Sequence, residues 1–376
     1  ETAETCSPLY CFPNKLEDIA VLKDAIAACS DGAKAYYYLG NLYYDKLQFD
    51  RAVALWEESE KRDDSFPTVH RNLAIAYYNK KKDPARAQEE LERAYELDET
   101  DARVFLELDQ LYKKLEVPFE QRIQNYEKHP EVIEERDDVR IEYITLQNLL
   151  GNYKKAYESI MSHTFRPWEG AEGKITTQYK IALLEMAKEC IDVKEYGQAK
   201  DYLEKALRYP ENLGEGRLEG TKDNHIYYYL GICNKALGKE QEAHGYFERA
   251  SLGDIEPAGV MYYYDQPADM ILYQGLAKRE LGKEKEARSR FFKLIDYGEQ
   301  HLNDEMRIEY FAVSLPDFLI FEDDLNRKNK AHCWYLMGLS SLGLGELQKA
   351  EGFFDKALSY DANHQNALIY RKMTLK

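Results

Sequence analysis

The side chains of this 376-residue sequence best suited to chemistry lie in two short segments rich in glycine and glutamate. The first, Thr164-Phe165-Arg166-Pro167-Trp168-Glu169-Gly170-Ala171-Glu172-Gly173-Lys174, sets two carboxylates beside an indole and a guanidinium. The second, Tyr209-Pro210-Glu211-Asn212-Leu213-Gly214-Glu215-Gly216-Arg217-Leu218, repeats the theme. Paired carboxylates at a suitable separation can divide acid and base work in glycoside hydrolysis. Trp168 offers a stacking face, and glycine lets the backbone approach a ligand closely. The candidate ligand-binding set is therefore Arg166, Trp168, Glu169, Glu172, Glu211, Asn212, Glu215 and Arg217. A plainer role is open to the same residues: the loops cap helix ends and Trp168 packs back on its own scaffold. A ligand site requires the glutamates to converge on a cleft beside an exposed Trp168. A scaffold requires them tied to helix N-termini or basic neighbours, with Trp168 buried.

Other chemistry is not encoded. The sequence has no H-E-x-x-H, no P-loop, no G-x-G-x-x-G after a strand and no G-x-S-x-G, so no catalytic residue and no cofactor is expected. Its eight histidines are scattered without metal-ligand spacing, and His225 and His332 read as surface residues. A net charge of −17 argues against a nucleic-acid partner, because phosphate binding needs clustered Lys and Arg. Six cysteines, at 6, 11, 29, 190, 233 and 333, form neither a disulfide framework nor a zinc pair. Cys29, Cys190, Cys233 and Cys333 fall in helical patterns as small buried hydrophobes, and only Cys6 and Cys11 are placed to pair. No apolar run reaches the roughly 18 residues of a membrane span. The first residues have no basic n-region and no apolar h-region, so no signal peptide is expected and a reducing cytoplasm is the default. With no initiator Met, the expectation is a processed form or an excised piece of something larger.

What must position the two loops is an internal repeat. Tyr36-Tyr37-Tyr38-Leu39-Gly40, Tyr227-Tyr228-Tyr229-Leu230-Gly231 and Trp334-Tyr335-Leu336-Met337-Gly338 share one pattern. Each is followed by an alanine twelve residues after the glycine, a bulky ring four further on, and a small residue three beyond that. The sets are Gly40, Ala52, Trp56, Ser59; Gly231, Ala243, Phe247, Ala250; and Gly338, Ala350, Phe354, Ala357. Small residues belong where two helix backbones approach, rings fill the space between neighbouring pairs, and apolar positions at helical spacing give each helix a buried stripe. Leu237-Gly238, Leu281-Gly282 and Leu344-Gly345 end first helices in the manner of left-handed caps.

This pattern resembles the tetratricopeptide repeat, a helix-turn-helix unit of about 34 residues. The resemblance implies an all-α fold, a right-handed superhelical solenoid with long inter-repeat loops. Units begin near Ala33, Pro67, Asp101, Asp137, Lys180, Asn224, Ala268 and Ala331, the third being degenerate. The organisation expected is an N-terminal segment and capping helix over 1–32, N-terminal units over 33–136, C-terminal units over 137–364 and a C-terminal capping helix over 365–376. Insertions interrupt the C-terminal units at 164–174, 208–223, 253–267 and 297–329. The third carries Tyr262-Tyr263-Tyr264-Asp265; the fourth carries Tyr310-Phe311, Pro316-Asp317-Phe318 and the acidic Glu322-Asp323-Asp324. Insertions at equivalent junctions project from one edge and would build a shared rim.

The resemblance also implies a concave face lined by first-helix residues: Tyr37, Asn41, Tyr44, Arg71, Tyr78, His225, Tyr228, His332 and Tyr335. Asn41 and Asn72 occupy two positions of the carboxylate clamp known in some repeats of this family. Tyr37, Ala102 and Leu106 replace its basic residues, so the clamp is absent. The two loop motifs are similar to the C-terminal repeat region of large bacterial proteins that carry an uncharacterised β-sandwich, suspected of carbohydrate association, ahead of the repeats. The expectation is a soluble, non-catalytic interaction module of a larger bacterial protein, binding a protein segment or a neighbouring domain of the same polypeptide through its concave face and rim. The competing expectation is a rim that completes a carbohydrate site in a multidomain enzyme. A homo-oligomerisation scaffold is the third.

Overall fold

The computed structural model describes residues 2–9, 12–166, 168, 170–259, 266–307 and 320–375. The protein forms two compact units, one of Glu1–Val139 with Leu319–Glu322, the other of Arg140–Phe318 with Asp323–Lys376. The described residues are helices and turns with no strand. None of the helices is long and apolar enough to cross a membrane.

The first unit holds α1 (Thr2–Thr5), α2 (Asp18–Ala28), α3 (Lys34–Asp45), α4 (Phe49–Glu60) and α5 (Pro67–Ala76). A π-helical turn, Tyr77–Lys81, extends α5 before α6 (Pro84–Leu97), α7 (Ala102–Lys114), α8 (Phe119–Lys128) and α9 (Pro130–Glu135). The boundary falls within α10 (Asp137–Leu149), after Val139. The second unit continues with α11 (Tyr153–Met161), α12 (Lys174–Asp192), α13 (Tyr196–Ala206), α14 (Asn224–Ala236) and α15 (Glu240–Ala250). It closes with α16 (Met270–Glu280), α17 (Glu284–His301), α18 (Leu325–Leu344), α19 (Leu347–Tyr360) and α20 (Gln365–Thr374).

Local chemistry sets these boundaries. Pro67, Pro84 and Pro130 open helices at the first turn, where a missing N–H costs nothing. The side chains of Asp83, Asp101 and Asp324 accept from the otherwise unpaired N–H groups of α6, α7 and α18. Gly238, Gly282 and Gly345 are left-handed, at φ 74°, 74° and 79°, and so end first helices as expected. Two helices start earlier than the repeat register predicts. α12 begins at Lys174 rather than Lys180, and α18 at Leu325 rather than Ala331, because Gly173 and Asp324 supply starting points upstream. The insertion at 297–329 is partly helical, since α17 runs to His301.

In four of the pairs the helices meet through glycine and a ring. A β-carbon on Gly40 would lie 2.5 Å from the Trp56 indole, and one on Gly231 would lie 2.5 Å from the Phe247 ring. Gly275 stands against Phe291 and Gly338 against Phe354 in the same way. The degenerate third repeat replaces this contact with a buried ion pair. Arg122, 1% exposed, donates to Asp109 at 2.8 and 2.7 Å, and Tyr126 adds its hydroxyl at 3.0 Å. Cys233 and Cys333 are buried and Cys190 is half-buried, as expected, but Cys29 is exposed because α2 stops one residue before it. Cys11 lies outside the described residues, as do the Tyr262–Asp265 run and the aromatics of 310–318.

Replacing Gly231 with valine forces a side chain into the Phe247 ring. The expected cost is about 1–3 kcal/mol, read as a lowered urea midpoint, and Phe247→Leu in the same protein recovers part of it.

Candidate functional site

The two Gly/Glu loops are bonded to each other. The Asn212 side-chain amide donates to the Ile160 and His163 carbonyls at 2.9 and 2.8 Å, which closes the open C-terminal end of α11. In return the Phe165 N–H donates to the Asn212 carbonyl at 2.8 Å, and Phe165 and Leu213 are buried. Glu215 accepts from the Gly173 N–H at 2.9 Å, at the positive end of α12. Burial raises its carboxyl above the usual range, while the Gly173 bond opposes the rise. Glu172 accepts from the Gly170 N–H at 2.9 Å, and Arg217 pairs with buried Asp223 at 2.7 Å. Glu211 and Arg166 are exposed, Trp168 is 38% exposed, and Glu169 lies outside the described residues. Glu215 therefore caps a helix and Glu172 ties its own loop, while the indole stays open to solvent.

The face expected to be concave is largely spoken for. In the first unit Asn41 accepts from the Trp56 indole at 3.0 Å and from Asn72 at 3.0 Å, and Asn72 also donates to the Tyr37 hydroxyl at 3.3 Å. Tyr37 is 3% exposed. Arg71 forks onto Glu107 with two bonds of 2.6 Å. In the second unit Tyr228, His225 and Tyr273 gather, with Tyr228 and His225 each 5.8 Å from the Tyr273 ring. Burial pushes His225 down to about 3, so it stays neutral. His332 is buried, not a surface residue: its Nε2 meets the Ala258 carbonyl at 2.9 Å and burial holds it at about 4. Tyr335 is buried among Phe354, His364 and Tyr370. The cause is aromatic content: residues every turn along neighbouring first helices fill the space between them.

Tyr44 and Tyr78 are different, because they border a site that no sequence motif marks. The Asn79 side chain, in the π-helical turn, donates to the Ile320 carbonyl at 2.7 Å and accepts from the Glu322 N–H at 2.9 Å. The two bonds bracket Phe321, whose ring meets Tyr78 edge-on at 5.1 Å and is 1% exposed. Lys80 and Lys82 both pair with the Glu322 carboxylate, the latter at 3.2 Å. Burial alone would raise that carboxyl, yet the two lysines hold it below its ordinary value. The Lys80 ammonium also lies 4.9 Å above the Phe49 ring, against which Tyr44 packs edge-on at 4.9 Å. One sequence signal points here. Ala87 follows Ala74 by thirteen residues, where Ala52 follows Gly40 by twelve, and the extra residue is taken up as the π-helical turn.

A second grouping brings together Glu60, His70 and Glu90, whose ligand-type atoms all lie within 4.8 Å of one another. They come from α4, α5 and α6, so no spacing along the sequence reveals them. His70 Nδ1 lies 2.8 Å from Glu90 and Nε2 lies 2.9 Å from the Asp64 carbonyl. Both ring nitrogens face acceptors, which suits an imidazolium rather than a metal ligand. Burial would depress this histidine, but Glu90, the Asp64 carbonyl and Glu60 together raise it above its ordinary value.

These features define helix pairs in series, with Ile320-Phe321-Glu322 held against the π-helical turn of the first unit. Residues 331–364, spanning most of α18 and all of α19, match the tetratricopeptide repeat family model. Among solved structures, the protein YrrB, a TPR protein described with an unusual peptide-binding site, is 17% identical. That alignment covers 52% of this chain and 94% of YrrB, with a TM-score of 0.38. A tetratricopeptide repeat protein from Parabacteroides merdae ATCC 43184 is 15% identical over 83% of this chain and all of its own, with a TM-score of 0.39. The Naa15/Naa10 assembly bound to HypK-THB matches at 13% identity and a TM-score of 0.41, covering 96% of this chain and 61% of that one. Likenesses at this level speak to neither partner nor activity.

Asn212→Ala should lower unfolding stability by about 1–3 kcal/mol by stranding the α11 carbonyls, whereas Trp168→Ala should stay within about 0.5 kcal/mol. Chemical denaturation of both variants checks the contrast. His70 stabilises the fold as a cation, so its contribution is complete below its free value of roughly 6.5 and is lost as pH rises through the higher folded value. The urea midpoint should therefore fall across that window, and His70→Gln should flatten the fall.

Proposed function

We propose that this protein is a non-catalytic interaction scaffold whose repeat face grips a short segment of a partner protein or of a neighbouring domain in the same polypeptide. The observation that carries this reading is Asn79 bracketing Phe321, because a side-chain amide paired with a backbone carbonyl and a backbone N–H holds a peptide whatever its neighbouring side chains. The energies suit reversible capture. Burying one phenylalanine ring contributes about 1.5–3 kcal/mol, each net hydrogen bond about 0.5–1.5 kcal/mol, and half-exposed ion pairs little. The Gly/Glu loops support a structural role for themselves, since Asn212 and Glu215 close helix ends and Arg217 is paired with buried Asp223.

Peptide display on the intact protein tests the reading. Selection on the Glu322→Lys variant, whose 320–322 segment no longer pairs with Lys80 and Lys82, should enrich short peptides that are lost when Asn79→Ala is added at unchanged thermal stability. Failure to enrich any peptide, or enrichment indifferent to both Asn79 and the first-helix faces, would remove it.

A further inference from the structure

We propose that Tyr78, Asn79, Lys80 and Lys82 form a receptor for aromatic–acidic peptides, and that the protein's own Ile320-Phe321-Glu322 occupies it until a partner segment of the same chemistry displaces it. The proposal rests on the function proposed above and deepens it by naming the ligand class.

Each subsite specifies one property of the ligand. Asn79 reads only backbone, so it sets where a peptide lies and leaves its identity open. The Tyr78 ring reads the residue between the two bonds, where an edge-on aromatic fits and Phe321 is fully desolvated. Lys80 and Lys82 read the following position, where a carboxylate is required. Selection by charge is sharpened by the surroundings. The net charge is −17 overall, so Lys80-Lys81-Lys82 is a basic island on an acidic protein, and Lys81 is already paired with Asp50 at 2.6 Å. An acidic peptide repelled elsewhere is attracted here.

The occupant is held in a displaceable way. Ile320 lies 241 residues from Asn79 in sequence, so this contact is no part of the helix-pair packing that builds the repeat. Side-chain exposure is 49% for Glu322 and 69% for Lys82, so a competing carboxylate reaches the lysines from solvent. The site itself is built rather than incidental. It sits on the π-helical turn, and left-handed Lys82, at φ 53°, closes that turn. Tethering gives the resident segment a local concentration on the order of millimolar, so the wild type should bind free peptides only weakly.

The test uses the whole protein and a fluorescently labelled peptide copying Leu319–Asp324, followed by anisotropy. Glu322→Lys, and separately Phe321→Ala with Glu322→Ala, loosen the resident segment. Each should bind the peptide at least about tenfold more tightly than the wild type does. Adding Asn79→Ala to either vacated variant should abolish the gain, and a peptide with its glutamate changed to lysine should not bind. The Glu322→Lys variant keeps the test valid if loss of the Phe321 ring harms folding, since its substitution is half-exposed. Vacated, folded variants that bind no more tightly than the wild type would overturn the proposal and leave 320–322 as a fixed structural tie. Display selection that returned Asn79-dependent peptides without an aromatic–acidic pair would also overturn it, while leaving the scaffold reading intact.

Discussion

The fold depends on how closely two helix backbones can approach. At Gly40, Gly231, Gly275 and Gly338 the absence of a side chain lets a ring from the second helix lie directly on the first helix backbone. That contact sets the distance within those four pairs, and the ring's other face is then available for packing around it. Where the glycine is lost, at Leu108, a different solution appears: the buried Arg122–Asp109 pair with Tyr126.

This dependence explains which parts are legible in the sequence. The glycine-ring spacing and the Leu-Gly turns are local, so helix pairs and their left-handed closures can be read from Gly231, Ala243 and Phe247 and from Leu237-Gly238. Helix starts are less legible, because left-handed Gly173 acts through its backbone and Asp324 through a side-chain cap, neither of which the apolar periodicity registers. Burial of His332 is hidden because its partner is the backbone carbonyl of Ala258, which no side-chain pattern announces. The rim loops are legible as segments, but their polar groups turn inward: Asn212 and Glu215 meet backbone groups. Phe321 and Asn79 are the least legible. They belong to segments far apart in the sequence and share no repeat position.

Charge is distributed with the same economy. An excess of carboxylates covers the protein, and several basic groups have assigned partners: Arg71 on Glu107, Arg217 on Asp223, Lys80 and Lys82 on Glu322. The His70 ring lies between two carboxylates that would otherwise face each other in a partly buried place, and they raise it above its ordinary value. Removing any one buried partner leaves like charges or an unpaired ion, which is costlier than the pair was favourable.

The π-helical turn at Tyr77–Lys81 has an evolutionary consequence. An extra residue in an ordinary helix would rotate everything beyond it by about 100°, turning buried positions outward. Here the widened turn absorbs the residue, and Ala87, Leu91 and Ala94 remain buried on α6. A repeat array can thus accept an insertion inside one helix, present a new side chain there, and leave its neighbours undisturbed. Diversification of such arrays therefore need not be confined to the loops.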